Sequence, residues 1–216
     1  MCSQKQIAEQ IAKQLLTIEA VKLNVKHPFT WASGLRAPIY CDNRKVLAYP
    51  TVRTFMKKCL VEAIQENFSE VEGIAGVAVA GIPQGALVAE ALQLPFLYVR
   101  SKPKGHGLEN SIEGALKRRQ KIVVLEDLIS TGGSSLQVCK TLQEADAKVL
   151  GVMAIFSYGL LIATKNFQAA GIPLFCLSNY SVLIQQAEAQ GYFDQATLQS
   201  LRKWQKDPAS WEHTVE

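Results

Sequence analysis

The chain has 216 residues, of which 48% are hydrophobic and 19% charged, so it can bury a full core and lies outside the composition of disordered proteins. Its net charge of +4 would favour an anionic substrate, but it is spread along the chain and does not form the basic face of a nucleic-acid-binding protein. Five widely spaced cysteines without a Cys-x-x-Cys pair argue for reduced thiols in a cytoplasmic protein. The longest apolar stretch, residues 73–82, has about half the length of a membrane span, so we expect no membrane contact. We predict one domain over residues 1–216.

Residues 21–44 lie between two segments with clear helical patterns. Apolar residues at helical spacing predict one helix over residues 3–20 and another over residues 51–67. Between them, short strand-like pieces are broken by Ser33-Gly34 and by two X-Pro pairs. This region is too irregular for a βαβ unit and too rich in aromatic residues for a linker. We predict that it forms a small hood that closes over a ligand.

Residues 73–81 are small and apolar and predict a strand. A glycine turn at residues 81–85 and a helix over residues 86–92 are predicted to follow. A glycine turn at a helix N-terminus can bind a phosphate, here one group of a diphosphate, because the first backbone N–H groups of a helix are unpaired. The signal is weak by itself, since glycines also allow close packing of a helix on a strand.

Residues 100–114 follow a short strand predicted at residues 95–99. The first half of this segment has almost no apolar residues, and it combines glycines with four basic or potentially basic side chains, namely Arg100, Lys102, Lys104 and His106. Structureless segments of this length are uncommon inside a compact domain and are usually functional. We therefore predict a lid that closes on an anion.

The most informative stretch is residues 121–135, KIVVLEDLISTGGSS. Residues 122–125 predict a buried strand, and two acids, Glu126 and Asp127, follow at its end. Residues 130–135 then supply hydroxyl groups, two glycines that permit close backbone approach, and the start of a helix. The acids would repel a neighbouring phosphate but suit sugar hydroxyls, a cation or a developing positive charge. The combination predicts a ribose 5-phosphate site, and the Walker pattern of a nucleoside triphosphate site is absent.

The rest of the chain continues the alternation of strands and helices. Strands are predicted at residues 148–156 and 172–177, and helices at residues 160–170, 180–190 and 194–206. This alternation predicts an α/β fold with a doubly wound, mostly parallel sheet. The three candidate anion-binding segments would then meet at the carboxyl ends of the strands, where such folds bind ligands.

Three segments carry a resemblance to a known family. Residues 121–135 resemble the phosphoribosyl diphosphate (PRPP) signature of the type I phosphoribosyltransferases, in which two acids precede a Thr/Ser-Gly-Gly/Thr phosphate loop. Residues 29–42 resemble the N-terminal hood of the orotate phosphoribosyltransferases, and residues 104–107, Lys-Gly-His-Gly, resemble their catalytic loop. The resemblance extends from Phe29 to about Pro208.

The resemblance implies the type I phosphoribosyltransferase fold with the hood at residues 21–44. It implies transfer of the phosphoribosyl group of PRPP to orotate, which gives orotidine 5'-monophosphate and diphosphate in pyrimidine biosynthesis. It further implies Mg²⁺ held mainly by the substrate and not by a protein metal site. The implied assembly is a homodimer that shares residues 100–114 across its interface, with no nucleic-acid partner.

The resemblance also assigns site residues. The implied catalytic residues are Lys104, His106 and Asp127. The implied PRPP-binding residues are Arg100, Lys104, His106, Glu126, Asp127, Leu128, Ile129, Ser130, Thr131, Gly132, Gly133 and Ser134. The implied orotate-binding residues are Ser130 and Tyr40. His106 has two open roles, as an acid toward the departing diphosphate or as an anion ligand only.

The chain departs from the family pattern at several cationic positions. Some members have lysines where this chain has Ala32, Ala80 and Ser101, and an orotate-binding arginine near Ser157-Tyr158, where this chain has none. PRPP must then be held with fewer cations, or Lys102 substitutes for one of them. Two alternatives remain at this level. A purine phosphoribosyltransferase would leave the hood unexplained, and a non-catalytic PRPP-fold regulator that binds RNA would leave the lid cations unexplained.

Overall fold

The structure is a computed structural model, and it describes residues 3–31, 34–100 and 111–211. The strands are β1 (Val21–Leu23), β2 (Phe29–Thr30), β3 (Arg36–Ala37), β4 (Ile39–Cys41), β5 (Gly73–Ala78), β6 (Phe96–Arg100), β7 (Ile112–Glu113), β8 (Lys121–Ile129), β9 (Lys148–Ser157) and β10 (Leu174–Asn179). The α-helices are α1 (Gln4–Thr17), α2 (Pro50–Asn67), α3 (Gly81–Leu92), α4 (Gly133–Glu144), α5 (Leu161–Ala170), α6 (Tyr180–Ala189) and α7 (Gln195–Lys206). A 3-10 helix spans Asn43–Ala48. No helix in the described ranges has the length and apolar character that a membrane crossing requires.

A six-stranded sheet in the order β10-β9-β8-β5-β6-β7 forms the centre of the molecule. Its strands are parallel except for the edge strand β7, which pairs antiparallel with β6. The chain moves from β5 outward to β6, returns to β8 on the other side of β5, and then moves outward to β9 and β10. The predicted α/β fold with a doubly wound, mostly parallel sheet is confirmed. The point where the direction of winding reverses lies between β5 and β8, and ligands of open α/β sheets bind at this point.

The strand β8 shows why these sequences form buried strands. Its residues from Ile122 to Leu125 are fully buried and their side chains alternate between the two faces of the sheet. Ile122 and Val124 belong to the core beneath α4 and α5, whereas Val123 and Leu125 belong to the core beneath α1 and α2. Each fully buried side chain of this size contributes roughly 1.5–3 kcal/mol to stability. Burial on both faces explains the continuous apolar run.

Three predicted element boundaries are wrong. The strand predicted to end at residue 125 continues to Ile129, because β8 stays paired with β9 as far as the Ile129–Ser157 position. The glycine turn predicted at residues 81–85 is already helical: β5 ends at Ala78 and α3 begins at Gly81, where any Cβ atom would overlap the carbonyl oxygen of β8 residue Leu125. The last part of the predicted 100–114 loop contains β7.

The hood, residues 21–44, consists of two small antiparallel pairs, β1 with β4 and β2 with β3. Two tryptophans form the contacts that hold the hood against the rest of the domain. The Trp204 indole N–H on α7 donates to the carbonyl of Arg36 at 3.1 Å. The Trp31 ring stacks on Tyr158 at the end of β9, with ring centroids 4.6 Å apart. These contacts hold the hood over the carboxyl edge of the sheet.

Candidate active site

Two helices begin side by side at the carboxyl edge of the sheet. The helix α3 follows β5 and α4 follows β8, and neither has a side chain that caps its first turn. Ser3, Asn179 and Asp194 cap the N-termini of α1, α6 and α7, whereas α2 and α5 also lack a side-chain cap. The N–H groups of the first three residues of α4 donate to no described residue. In α3 the Ile82 N–H donates to the Val79 carbonyl at 3.2 Å and Pro83 has no N–H, which leaves the Gly81 N–H available. Both helix starts carry the positive end of a helix dipole. Such a pair can bind two anionic groups of one ligand.

The loop before α4 contains two glycines with different surroundings. Gly132 has a left-handed backbone with φ of 82°, and a Cβ atom there would lie 2.5 Å from the Phe167 ring. At Gly133 the nearest atom to an added Cβ would be Thr131 Oγ1 at 3.8 Å. The carbonyl of Thr131 accepts a hydrogen bond of 3.0 Å from Asn166 Nδ2, which fixes the loop to α5. The fold thus requires the glycine at 132, while the space at 133 stays open.

The two predicted acids of β8 have different partners. Glu126 is only 5% exposed, and its carboxyl oxygens accept hydrogen bonds from the Ser134 and Ser135 hydroxyls at 3.4 and 3.2 Å and from the Asp127 N–H at 3.2 Å. Burial, and next the charge of Asp127, raise the pKa of Glu126 to about 8. Burial therefore favours the neutral form of Glu126, and its bonds with the two hydroxyls connect β8 to the first turn of α4.

Asp127 is the less enclosed member of the pair. Burial raises the pKa of Asp127, and the hydrogen bond with Glu126 and then the charge of Arg44 oppose this rise. Glu126 already accepts three hydrogen bonds from the protein. Asp127 shares a side-chain hydrogen bond with Glu126 and receives none from the described loop hydroxyls, so it is the carboxylate with more acceptor capacity left for a ligand. Its backbone carbonyl accepts a hydrogen bond of 2.7 Å from Asn43 Nδ2, which joins the site to the end of the hood.

The other predicted PRPP residues in the described ranges lie on β8, in the loop before α4 and on β6. Leu128 and Ile129 belong to β8, and Ile129 has a buried side chain and a carbonyl that accepts from the Tyr158 N–H at 3.0 Å. The hydroxyls of Ser130 and Thr131 form no hydrogen bond with any residue in the described ranges. Arg100 lies on β6 and pairs with Glu113 of β7, Nη2 to Oε1, at 3.0 Å.

Tyr40 is a hood residue and was predicted to bind orotate. Its side chain is 42% exposed, and its ring lies 5.7 Å from the Phe29 ring, centroid to centroid. The described residues do not include the predicted catalytic residues Lys104 and His106. They also do not include Ala32 and Ser101, two positions at which some family members have lysine. The predicted roles of Lys104 and His106 stay predictions.

Sequence reasoning missed Asn43. Asn43 is 84 positions away from Asp127 in the chain, so only the folded chain shows that they meet. Ser135 was predicted as one of the hydroxyl donors of residues 130–135, but its side chain is fully buried and its hydroxyl donates to Glu126 at 3.2 Å. Both residues act on the acid pair from within the protein.

Comparison with known proteins places this site in a class. The Phosphoribosyl transferase domain family matches residues 47–166, which include β5, β8 and both helix N-termini described above. The solved structure of orotate phosphoribosyltransferase from Aeropyrum pernix superposes with a TM-score of 0.74 at 26% identity and covers 85% of this chain and 99% of that one. Fold and site thus define a phosphoribosyltransferase.

Two curated relatives give a finer assignment. The chain is 53% identical to the orotate phosphoribosyltransferase of Streptococcus pneumoniae over 206 residues, which are 95% of this chain and 98% of the relative. It is 52% identical to that of Cytophaga hutchinsonii over 203 residues, 94% of this chain and 97% of the relative. The chain belongs to the orotate phosphoribosyltransferase family.

Proposed function

We propose that this protein transfers the phosphoribosyl group of PRPP to orotate and releases orotidine 5'-monophosphate and diphosphate, as a step of pyrimidine biosynthesis. The observation that carries the proposal is the pair of uncapped helix N-termini on either side of the acid pair, at the point where the winding of the sheet reverses. A substrate with two separate anionic groups joined by a sugar fits this arrangement.

Each part of PRPP has a place in the proposal. The loop from Ser130 to Ser134 and the N-terminus of α4 bind the 5-phosphate, and the N-terminus of α3 binds the diphosphate. Asp127 accepts hydrogen bonds from the ribose hydroxyls and favours the positive charge that develops on the sugar ring. A ring nitrogen of orotate gives up its proton to the departing diphosphate or to solvent and forms a bond to C1 of the ribose. The C1–O bond breaks, and its electron pair leaves with the diphosphate.

The departing diphosphate gains negative charge, and cations have to balance it. Arg100, Lys104 and His106 are the proposed protein groups, in a site closed to water. Mg²⁺ fits the donor chemistry at this edge, where Asp127 is a single free carboxylate and the diphosphate and ribose supply further oxygens. When bound, Mg²⁺ would supply positive charge to the diphosphate and ribose oxygens.

The proposed setting is a cytoplasmic homodimer in which residues 100–114 of each chain serve the site of the other chain. Subunit mixing tests this arrangement. Lys104→Ala and Asp127→Asn should each be nearly inactive alone. An equal mixture of the two should regain about a quarter of the wild-type activity, because about half of the dimers are then mixed and each mixed dimer holds one intact site of two. No regain after exchange of subunits would contradict the shared loop.

The experiment that tests the function follows orotate absorbance after purified protein, PRPP, Mg²⁺ and orotate are mixed. Adenine, hypoxanthine and uracil are tested in parallel. We expect rapid turnover of orotate and at least a 100-fold lower kcat for Asp127→Asn. Asp146→Asn, which alters an exposed aspartate paired with Arg118, is the matched control and should leave kcat unchanged.

Other outcomes have defined meanings. Turnover of a purine base without turnover of orotate would overturn the assignment of the hood to an orotate site. Binding of PRPP without turnover of any base would favour the non-catalytic regulator.

A further inference from the structure

The last residues of the hood bring an arginine within electrostatic reach of the acid pair. Asn43, only 2% exposed, begins the 3-10 helix and donates from Nδ2 to the carbonyl of Asp127 at 2.7 Å. Its Oδ1 accepts a hydrogen bond from the Cys41 thiol at 3.1 Å. Because Asn43 is held from both sides, the backbone of the next residue, Arg44, has a fixed position beside the end of β8.

The guanidinium of Arg44 is only partly used by the protein. Its Nε donates to Asp42 Oδ1 at 2.6 Å, and its side chain is 59% exposed. The two Nη groups donate to no residue within the described part of the chain. The hydrogen bond with Asp42 raises the pKa of Arg44, and the charges of Tyr40 and Asp127 raise it further. Arg44 thus lies within electrostatic reach of the hood and of the acid pair, with two donor groups free.

The base substrate of the proposed function needs such a group. Orotate differs from uracil by a carboxylate, and a site that selects orotate must compensate this charge. Arg100, on the other side of β5, is already paired with Glu113. Arg44 is held on the hood side of the site, and a planar guanidinium with two free Nη groups matches the geometry of a carboxylate.

We propose that Arg44 binds the carboxylate of the base substrate and thereby selects a carboxylated pyrimidine over one that lacks the carboxylate. The inference rests on the proposed function. Asp42 acts as a positioning residue, since its bond to Nε sets the orientation of the guanidinium plane. Lysine at this position would keep the charge but lose the paired donors.

The test compares Arg44→Gln and Arg44→Lys with wild type. For each protein the KM values for orotate and for PRPP are measured separately, and uracil serves as the substrate that lacks the carboxylate. We expect the orotate KM to rise about 10- to 100-fold in Arg44→Gln, the effect of losing one or two charge-assisted hydrogen bonds, and to rise less in Arg44→Lys. The PRPP KM and the low activity toward uracil should stay within about twofold. Arg118→Gln, which breaks an ion pair of the same geometry far from the hood, should change none of these values.

Several results would overturn the inference. The orotate KM could stay unchanged in Arg44→Gln, or the orotate and PRPP KM values could rise equally. The third such result is a larger rise of the orotate KM in Arg36→Gln than in Arg44→Gln, since Arg36 is the other arginine of the hood. Equilibrium binding of orotidine 5'-monophosphate to each variant provides a readout that does not depend on turnover. Failure of the proposed function would appear differently, as a wild-type protein that does not convert orotate.

Discussion

The buried carboxyl group of Glu126 should make the stability of the protein depend on pH. Its pKa is about 8 in the folded protein, against an ordinary value of 4.5, with burial as the main cause. Between these two pH values the folded state binds more protons than the unfolded state, so the free energy of unfolding falls as pH rises. One such group lowers the free energy of unfolding by up to about 1.4 kcal/mol for each pH unit. The total loss is on the order of 3–5 kcal/mol and is reached above about pH 8.

Glu126→Gln isolates this contribution. Glutamine stays neutral at every pH and can still accept from the Ser135 hydroxyl and the Asp127 N–H, as Glu126 does. The variant should therefore be more stable than wild type at pH 8, and its advantage should shrink as pH falls toward 5. Asp127 also has a raised pKa, which gives a slope of the same sign. Because Asp127 and Glu126 interact, the difference between the two proteins reports the titration of the pair.

The assay is urea unfolding of both proteins at four pH values from 5 to 8. Glu144→Gln, on the exposed side of α4 where Glu144 pairs with Lys140 at 3.8 Å, is the matched control and should follow the wild-type slope. Equal pH slopes for wild type and Glu126→Gln would refute the assignment of a neutral, buried Glu126.

Two further predictions use matched pairs of variants. Gly132→Ala should lower the free energy of unfolding by about 2–4 kcal/mol, because the new side chain would sit on a left-handed backbone and clash with Phe167. Gly133→Ala should have a free energy of unfolding within about 1 kcal/mol of wild type, but it should raise the PRPP KM at least tenfold because its methyl group fills the open space of the loop. Trp204→Phe leaves a hood carbonyl without its hydrogen-bond donor, so it should lower the free energy of unfolding by about 1–3 kcal/mol and raise the orotate KM. Trp211→Phe loses a hydrogen bond to a hydroxyl of α7 and should leave the orotate KM unchanged. Urea unfolding and steady-state kinetics check both pairs, and equal behaviour within either pair would contradict the packing described.

The sequence alone determined the order of the elements. Apolar runs such as residues 122–125 are typical of strands buried on both faces, and helical spacing in residues 51–67 predicted α2 almost to its bounds. These signals are local, since each depends only on which face of a helix or strand is buried in the core. The glycine and hydroxyl cluster after the acids was also a local signal, because a βα loop that binds a phosphate needs backbone freedom and donors within a few residues.

The tertiary structure decided how the two acids divide their roles. Glu126 and Asp127 are adjacent acids that the sequence does not distinguish, but the Ser134 and Ser135 hydroxyls donate to Glu126, whereas no hydroxyl of the described residues donates to the Asp127 carboxylate. The same contacts explain why β8 runs four residues beyond its apolar part, since a carboxyl group can stay in a buried strand once its polar atoms are paired.

Only the tertiary structure brought Asn43 and Arg44 to the site. The hydrogen bond between Asn43 and the Asp127 carbonyl joins positions 84 residues apart, and no periodicity in a chain encodes such a pair. The sequence therefore determined which elements form and where a phosphate can bind. The packing of the hood on the end of β8 decided which charged groups face one another, because that depends on contacts between segments whose separate patterns carry no information about each other.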